Sequence, residues 1–213
     1  MPSTRTVDRP EEAVAVAKRY LRRERPLSAL VVVFAVVVFL GTFISTSLVP
    51  AAVVGALLTL LVRVPIIKPR GTARLRTDED AESVVESFAG PTPPILVFQW
   101  GIADEVITEG GTVTYRLSYL FGLRSVEVTV DTRTTRTPDG DRRIELELTV
   151  GDQPWSTYVV TVSTRDDHTA VEYEYTADRR FGLRRLPQRL VARRYRAEAL
   201  EAQGYVFIEP DET

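Results

Sequence analysis

Five tyrosines are the side chains whose spacing most directly suggests a binding site. Tyr115, Tyr119, Tyr158, Tyr173 and Tyr175 each fall on the apolar side of a segment in which apolar and polar residues alternate. Rings that line a pocket, with their hydroxyl groups inside, suit an amphipathic ligand. Tyrosine also favours strands, where its hydroxyl reaches the rim of a filled core. We favour the second interpretation, because alternation does not reveal an open cavity.

Four arginines form a stripe beside the leucines of a predicted C-terminal helix: Arg185, Arg189, Arg193 and Arg196. One interpretation is that Arg185, Arg189 and Arg196 contact anionic lipid headgroups. Another is that Arg193, which lies nearest the apolar side, binds the acidic group of a ligand. A third is that the stripe pairs with surplus carboxylates of the same domain, which suits the sequence at least as well.

The sequence offers little for catalysis or metal binding. It has no cysteine and a single histidine, His168, which lies in an Asp-Asp-His turn. Thiolate chemistry and most zinc sites are therefore excluded. Neither a phosphate-binding loop nor a nucleophile elbow occurs in it. We assign no catalytic residue, no metal ligand and no cofactor, and an enzymatic role is the weakest of the function classes considered.

Charge is strongly segregated along the chain, although the net charge is only −2. Residues 77–178 contain twenty Asp and Glu against seven Arg, whereas residues 179–196 contain eight Arg and no acid. Phosphate groups repel so acidic a region, so nucleic acid is not expected as a partner. Basic residues also flank an apolar segment at 27–67, which is typical of a protein that meets a membrane surface.

The apolar segment 27–67 contains one charge, Arg63. A single helix of that length would be about 60 Å long, roughly twice the thickness of a bilayer core. A polar break before Pro50 therefore predicts a hairpin of two transmembrane helices, at 27–44 and 50–67.

The charges on either side of the hairpin predict its orientation. Lys and Arg precede the first helix and follow the second, which predicts a multi-pass protein of the cell membrane with both termini in the cytoplasm. Membrane lipids are then expected partners. Residues 1–26 are predicted to form a cytoplasmic amphipathic segment, with an apolar face made of Val14, Ala17 and Leu21.

Residues 71–213 are predicted to form a cytoplasmic α+β domain. A short strand at 72–76 precedes a helix that is capped by Thr77 or Asp78 and ends near Phe88. The segment from Ile95 to Trp100 is predicted to begin the next strand.

A long antiparallel meander follows that strand. Apolar and polar residues alternate from residue 105 to residue 175, so one face of the sheet is apolar and the other is polar and acidic. A helix over 182–203 carries leucines on one side and is expected to cover the apolar face. Residues 205–208 are predicted to add a short strand or an extended strap.

This order of elements over residues 71–203 resembles the START-like, or SRPBCC, helix-grip superfamily. The resemblance is one of topology, and it implies an antiparallel β-sheet gripping a long C-terminal helix, with a cavity for an apolar ligand between them. The first helix is shorter than is usual in that superfamily, and the segment at 205–208 follows the long helix. A pleckstrin-homology-like barrel is the alternative, but the helix between the first two strands argues against it.

The predicted fold class is thus a membrane α-hairpin plus an α+β, helix-grip-like domain. The predicted function is a membrane-anchored ligand-binding or interaction module that holds an apolar or amphipathic molecule between the sheet and the C-terminal helix. The alternative is a non-catalytic scaffold or regulatory membrane subunit, with a filled pleckstrin-homology-like or helix-grip core, that binds another protein. A space between sheet and helix would distinguish the two.

Overall fold

The chain folds as two long helices followed by an antiparallel sheet and the helices that cover it. The computed structural model describes residues 7, 9–63, 68–119, 124–165, 167–179 and 186–212. The helices are α1 (Glu11–Ser45), α2 (Leu48–Arg63), α3 (Ala81–Ala89), α4 (Val97–Trp100) and α5 (Leu186–Glu201), with a 3-10 helix at Pro94–Leu96. The strands are β1 (Arg70–Thr77), β2 (Glu105–Glu109), β3 (Thr112–Tyr119), β4 (Arg124–Arg136), β5 (Arg142–Val150), β6 (Gln153–Thr164), β7 (Thr169–Ala177) and β8 (Val206–Glu212).

These strands form a single sheet in the order β2-β3-β4-β5-β6-β7-β1-β8. Every neighbouring pair is antiparallel, so β2 to β7 make a meander and β1 lies between β7 and β8. Alternation sets the two faces: on β1, exposed and buried residues follow one another without exception. The antiparallel sheet with covering helices confirms the predicted α+β class and is consistent with a helix-grip-like fold.

Helix α3 lies against the inner face of the sheet, where it contacts β4, β5 and β6. Asp80 determines where it begins. The Asp80 carboxylate accepts hydrogen bonds from the backbone N–H groups of Glu82 and Ser83, both at 3.0 Å. The side-chain bond from Ser83 and these backbone bonds lower the pKa of Asp80. The helix therefore begins at Ala81, and its cap is Asp80 and not Thr77 or Asp78, as predicted from the sequence.

The strand predicted at Ile95–Trp100 is helical instead. Pro94 opens the 3-10 helix, and α4 follows it directly. A proline suits the first turn of a helix because its missing N–H would have no partner there. Trp100 is completely buried, and its indole N–H donates to the Pro93 carbonyl oxygen at 2.8 Å. Apart from Gln99 the run is apolar, and such short runs do not distinguish a buried strand from a buried helix.

The first turns of α1 are part of the core of this domain. Ala13, Val16 and Ala17 are buried in the same cluster of apolar side chains as the inner face of the sheet. Gly101 approaches this helix so closely that a Cβ placed there would lie 2.9 Å from the Ala17 Cβ. Of the predicted apolar face, Ala17 is buried and Val14 is partly buried against the same cluster, whereas Ala13 and Val16 were not predicted.

Beyond those turns α1 continues to Ser45, and α2 runs back beside it. Ala51 is completely buried in this contact. At Gly55 an added Cβ would lie 3.0 Å from the Phe39 ring, so the small residues of α2 allow close packing. A helical hairpin therefore forms, with its turn where the sequence predicts a break.

The predicted crossing of a membrane by this hairpin is wrong. In the described parts of the chain, no helix has both the length and the apolar character needed to cross a bilayer. The charged first turns of α1 pack in the core of the domain. The spans at 27–44 and 50–67, and the location in the cell membrane with both termini cytoplasmic, are corrected accordingly.

Candidate functional site

Tyr158 and Tyr175 face each other on the inner side of the sheet. They are register partners on the neighbouring strands β6 and β7. Their rings are stacked, with centroids 5.5 Å apart and planes inclined by 26°. This is within the range in which aromatic pairs attract one another.

Helix α5 places a positive charge over this ring pair. The guanidinium carbon of Arg196 lies 6.0 Å from the centroid of the Tyr175 ring, at the outer limit of a cation–π contact. Burial raises the pKa of Tyr158 to about 12, and Arg196 acts in the opposite direction. At neutral pH the Tyr158 phenol is therefore protonated and able to donate a hydrogen bond.

The ring pair is more open than its neighbours on the same face. Val160 on β6 and Tyr173 on β7 are at most 1% exposed, whereas Tyr158 and Tyr175 are half-buried. A tightly packed core thus gives way to accessible aromatic surface at the place where Arg196 lies. We take Tyr158, Tyr175 and Arg196 together as the candidate site and call them the Tyr–Arg site.

Two of the five predicted pocket tyrosines belong to the packed core instead. Tyr115 is completely buried, and its hydroxyl donates to the Pro91 carbonyl oxygen at 2.9 Å. Burial raises the pKa of this phenol well above its ordinary value. Its strand, β3, is three strand spacings from β6, or about 14 Å, so Tyr115 lies outside the Tyr–Arg site. Tyr173 is 1% exposed and fills the core beside that site.

The remaining predicted site residues are Tyr119 and the four arginines of the stripe. The side chains of Tyr119, Arg189 and Arg193 are not described, and Arg185 lies outside the described residues. Arg196 was assigned to lipid by the sequence pattern, yet it is the arginine found over the Tyr175 ring. Lipid contact by the arginine stripe stays a prediction whose premise, a membrane hairpin next to the domain, no longer applies.

The acidic outer face of the sheet pairs with arginines of neighbouring strands. Arg116 on β3 forms ion pairs with Glu105 at 2.8 Å and with Glu127 at 3.0 Å. Arg74 on β1 lies 3.3 Å from Glu172 on β7. Cross-strand pairs of opposite charge stabilise a sheet. Surplus carboxylates are thus paired with arginines of the sheet itself, and their pairing with the arginine stripe stays a prediction.

A cleft of about 280 Å³ lies between α3 and the adjacent ends of β5 and β6. It is lined by Ala81, Glu82, Val85, Glu86, Gly140, Asp141, Arg142, Val162 and Thr164. Val162 is four residues from Tyr158 along β6, or about 13 Å, so the cleft is separate from the Tyr–Arg site. Four of its nine lining residues are charged, unlike the apolar cavity that the family resemblance implies.

Comparison with known proteins finds solved structures that are similar to this chain in fold. No protein-family model and no curated protein matches the sequence. Matching solved structures include a protein from Rhizobium loti, which is 23% identical, with coverage of 64% of this chain and 97% of that chain and a TM-score of 0.41. A conserved protein from Geobacillus kaustophilus is 13% identical, with coverage of 63% and 91% and a TM-score of 0.44.

A START superfamily protein from Mycobacterium smegmatis is also among the matches. It is 10% identical, with coverage of 63% of this chain and 96% of that chain and a TM-score of 0.40. The matches thus include a protein of the superfamily that the order of elements resembles. At these identities and TM-scores the likeness supports no conclusion about a ligand or an activity. The chain is similar in fold to a START superfamily protein.

Proposed function

We propose that the chain binds an amphipathic small molecule with an acidic group between its sheet and α5. The observation that carries this proposal is the Tyr–Arg site: two stacked, half-buried rings with a guanidinium above them. Such rings offer a large contact area with little conformational freedom to lose. A guanidinium binds carboxylate or sulfonate through charge-assisted hydrogen bonds.

The protonation state of Tyr158 supports the same chemistry. Its pKa of about 12 keeps the phenol neutral at physiological pH, so it donates to an anionic acceptor and does not repel it. The site thus combines a neutral donor, a fixed positive charge and aromatic surface. It provides no nucleophile, and we assign it binding and no reaction.

The test uses two dyes of similar size on the full-length chain. 1-Anilinonaphthalene-8-sulfonate carries a negative charge, and N-phenyl-1-naphthylamine has the same ring systems without it. We expect Arg196→Gln to weaken binding of the anionic dye about tenfold, since a charge-assisted hydrogen bond is worth about 1.5–3 kcal/mol. Binding of the neutral dye should change less than about threefold, because it does not use the charge.

Arg194→Gln is the matched control. Arg194 is exposed on α5, two residues from Arg196, so its loss changes the net charge equally without altering the site. Tyr158→Ala should weaken both dyes, because both use the ring surface. Fluorescence titrations measure the dissociation constants, and only the component sensitive to Tyr158→Ala is compared. Equal affinities for the anionic dye in Arg196→Gln and Arg194→Gln would exclude the proposal.

Contact with another protein is the alternative function, and one observation favours it. Large apolar side chains are exposed along the outer turns of α1 and along α2, including Phe34, Ile44 and Val49. Contiguous exposed apolar surface is typical of interaction sites. A scaffold with a filled core predicts dye binding that neither Tyr158→Ala nor Arg196→Gln alters, so the same titrations distinguish the two functions.

A further inference from the structure

The helix that carries Arg196 is held mainly by α1. Helix α5 packs chiefly against α1, with smaller contacts to the 3-10 helix and β8. Tyr195, the residue before Arg196, is buried, and its ring meets the Tyr20 ring edge-on with centroids 6.1 Å apart. Two residues after Arg196, Glu198 forms an ion pair with Arg19 of α1. Helix α1 therefore contacts α5 immediately before and after the arginine of the Tyr–Arg site.

Helix α1 itself packs closely against α4. Ala17 is completely buried, and it meets Gly101 at the end of α4 in the close approach described above. Just before α1, one Arg9 nitrogen donates to the carbonyl oxygens of Trp100 at 3.2 Å and Ala103 at 2.8 Å. The Trp100 oxygen lies at the C-terminal end of α4, where helix carbonyls lack intrahelical partners, and the Ala103 oxygen lies just beyond that end. A residue larger than alanine at position 17 would push α1 away from α4.

We infer that α1 is the positioning element of the Tyr–Arg site, and that Ala17 is its positioning residue. By fixing the place of α5, α1 holds the Arg196 guanidinium over the Tyr175 ring. The inference rests on the proposed function for its effect on binding. Displacing α1 should weaken the contact between the ligand and the Arg196 charge more than the contact between the ligand and the rings. The rings of Tyr158 and Tyr175 are fixed by the sheet.

The central experiment replaces Ala17 with leucine in the full-length chain. Ala15→Leu is the matched control, because it is the same substitution on the exposed side of the same helix. We expect Ala17→Leu to weaken binding of the anionic dye about tenfold, as Arg196→Gln does, and the neutral dye less than about threefold. Ala15→Leu and Ala17→Ser, which keeps a small side chain, should bind both dyes like the parent.

A double-mutant cycle separates positioning from general loss of packing. With Arg196→Gln already present, Ala17→Leu should weaken the anionic dye less than about twofold further, because the contact it disturbs is already gone. Equal affinities of Ala17→Leu and the parent would overturn the inference. Equal weakening of both dyes would also overturn it, since that result indicates a merely structural role.

A distance measurement tests the inference without a ligand. The chain has no cysteine, so spin labels at Arg194→Cys on α5 and Glu174→Cys on β7 report one distance. Ala17→Leu should shift or broaden that distance, and Ala15→Leu should leave it unchanged. An unchanged distance in Ala17→Leu refutes positioning by α1. Dye binding that does not depend on Arg196 refutes the proposed function alone, so the two failures are distinct.

An exposed ion pair gives a variant that does not threaten folding. Arg19→Glu places a negative charge beside Glu198 and should broaden the same label distance. Arg19→Glu combined with Glu198→Arg restores opposite charges and should return the distance to that of the parent. If neither the single nor the double variant changes the distance, the Arg19–Glu198 pair does not help to hold α5. That result counts against positioning by α1 at the contact that follows Arg196.

Discussion

Replacing Trp100 with phenylalanine tests how firmly α4, the short helix on which α1 packs, is anchored in the core. Trp100 is completely buried, and its indole N–H donates to the Pro93 carbonyl oxygen. Losing that hydrogen bond costs about 1 kcal/mol net. The carbonyl oxygen keeps a second donor, the Leu96 N–H at 2.9 Å, so no additional penalty for an unpaired group applies. The smaller ring also forfeits about 2 kcal/mol of apolar burial.

The expected loss is therefore about 3 kcal/mol, a large part of the 5–15 kcal/mol that stabilises an ordinary domain. Urea titration followed by far-UV circular dichroism measures it as a lower midpoint with an unchanged slope. Trp155→Phe is the control, because that ring is partly exposed and its replacement should cost less. If the two variants lose equal free energy of unfolding, Trp100 is not the anchor that the structure indicates.

Two further predictions concern buried phenols. Tyr115→Phe keeps the ring but removes the hydrogen bond to Pro91, and it should lower the free energy of unfolding in urea by about 1 kcal/mol; no change would contradict the bond. Burial raises the pKa of Tyr205 to about 12 from 10.0, so the unfolded chain loses this proton first as pH rises. Its contribution to stability is complete below pH 10 and is lost between about pH 10 and 12, by at most about 3 kcal/mol. Tyr205→Phe should flatten that decline in alkaline urea titrations, and parallel curves would contradict it.

The sheet was the part of the fold most accessible from sequence. A strand alternates with period two wherever one face is buried, so the pattern on β5, from Ile144 to Val150, is visible without knowing what covers it. The same period separates Glu145 and Glu147 from the apolar face. Both the meander and the acidic outer face could therefore be predicted before any tertiary contact was known.

The place of Arg196 over the Tyr175 ring could not be predicted in the same way. Which side chains of α5 approach the rings depends on how the helix is rotated about its axis, because successive residues are about 100° apart around it. That rotation is set by neighbours of α5, chiefly α1, and it leaves no mark in the sequence of α5 itself.

The packing of α1 against the domain is hard to recognise in the sequence, because close packing of helices requires small side chains. Ala13, Val16, Ala17 and Tyr20 follow the spacing of a buried helical face, i, i+3, i+4 and i+7. Two of the four are alanines, which bury little apolar surface, so the stripe is weak beside the long apolar run after residue 27. Yet alanine is what allows α1 to approach Gly101 closely enough to fix α5. The residue that matters most to this contact is thus one whose hydrophobicity gives the least signal, and steric fit, not hydropathy, is the property to look for in such a segment.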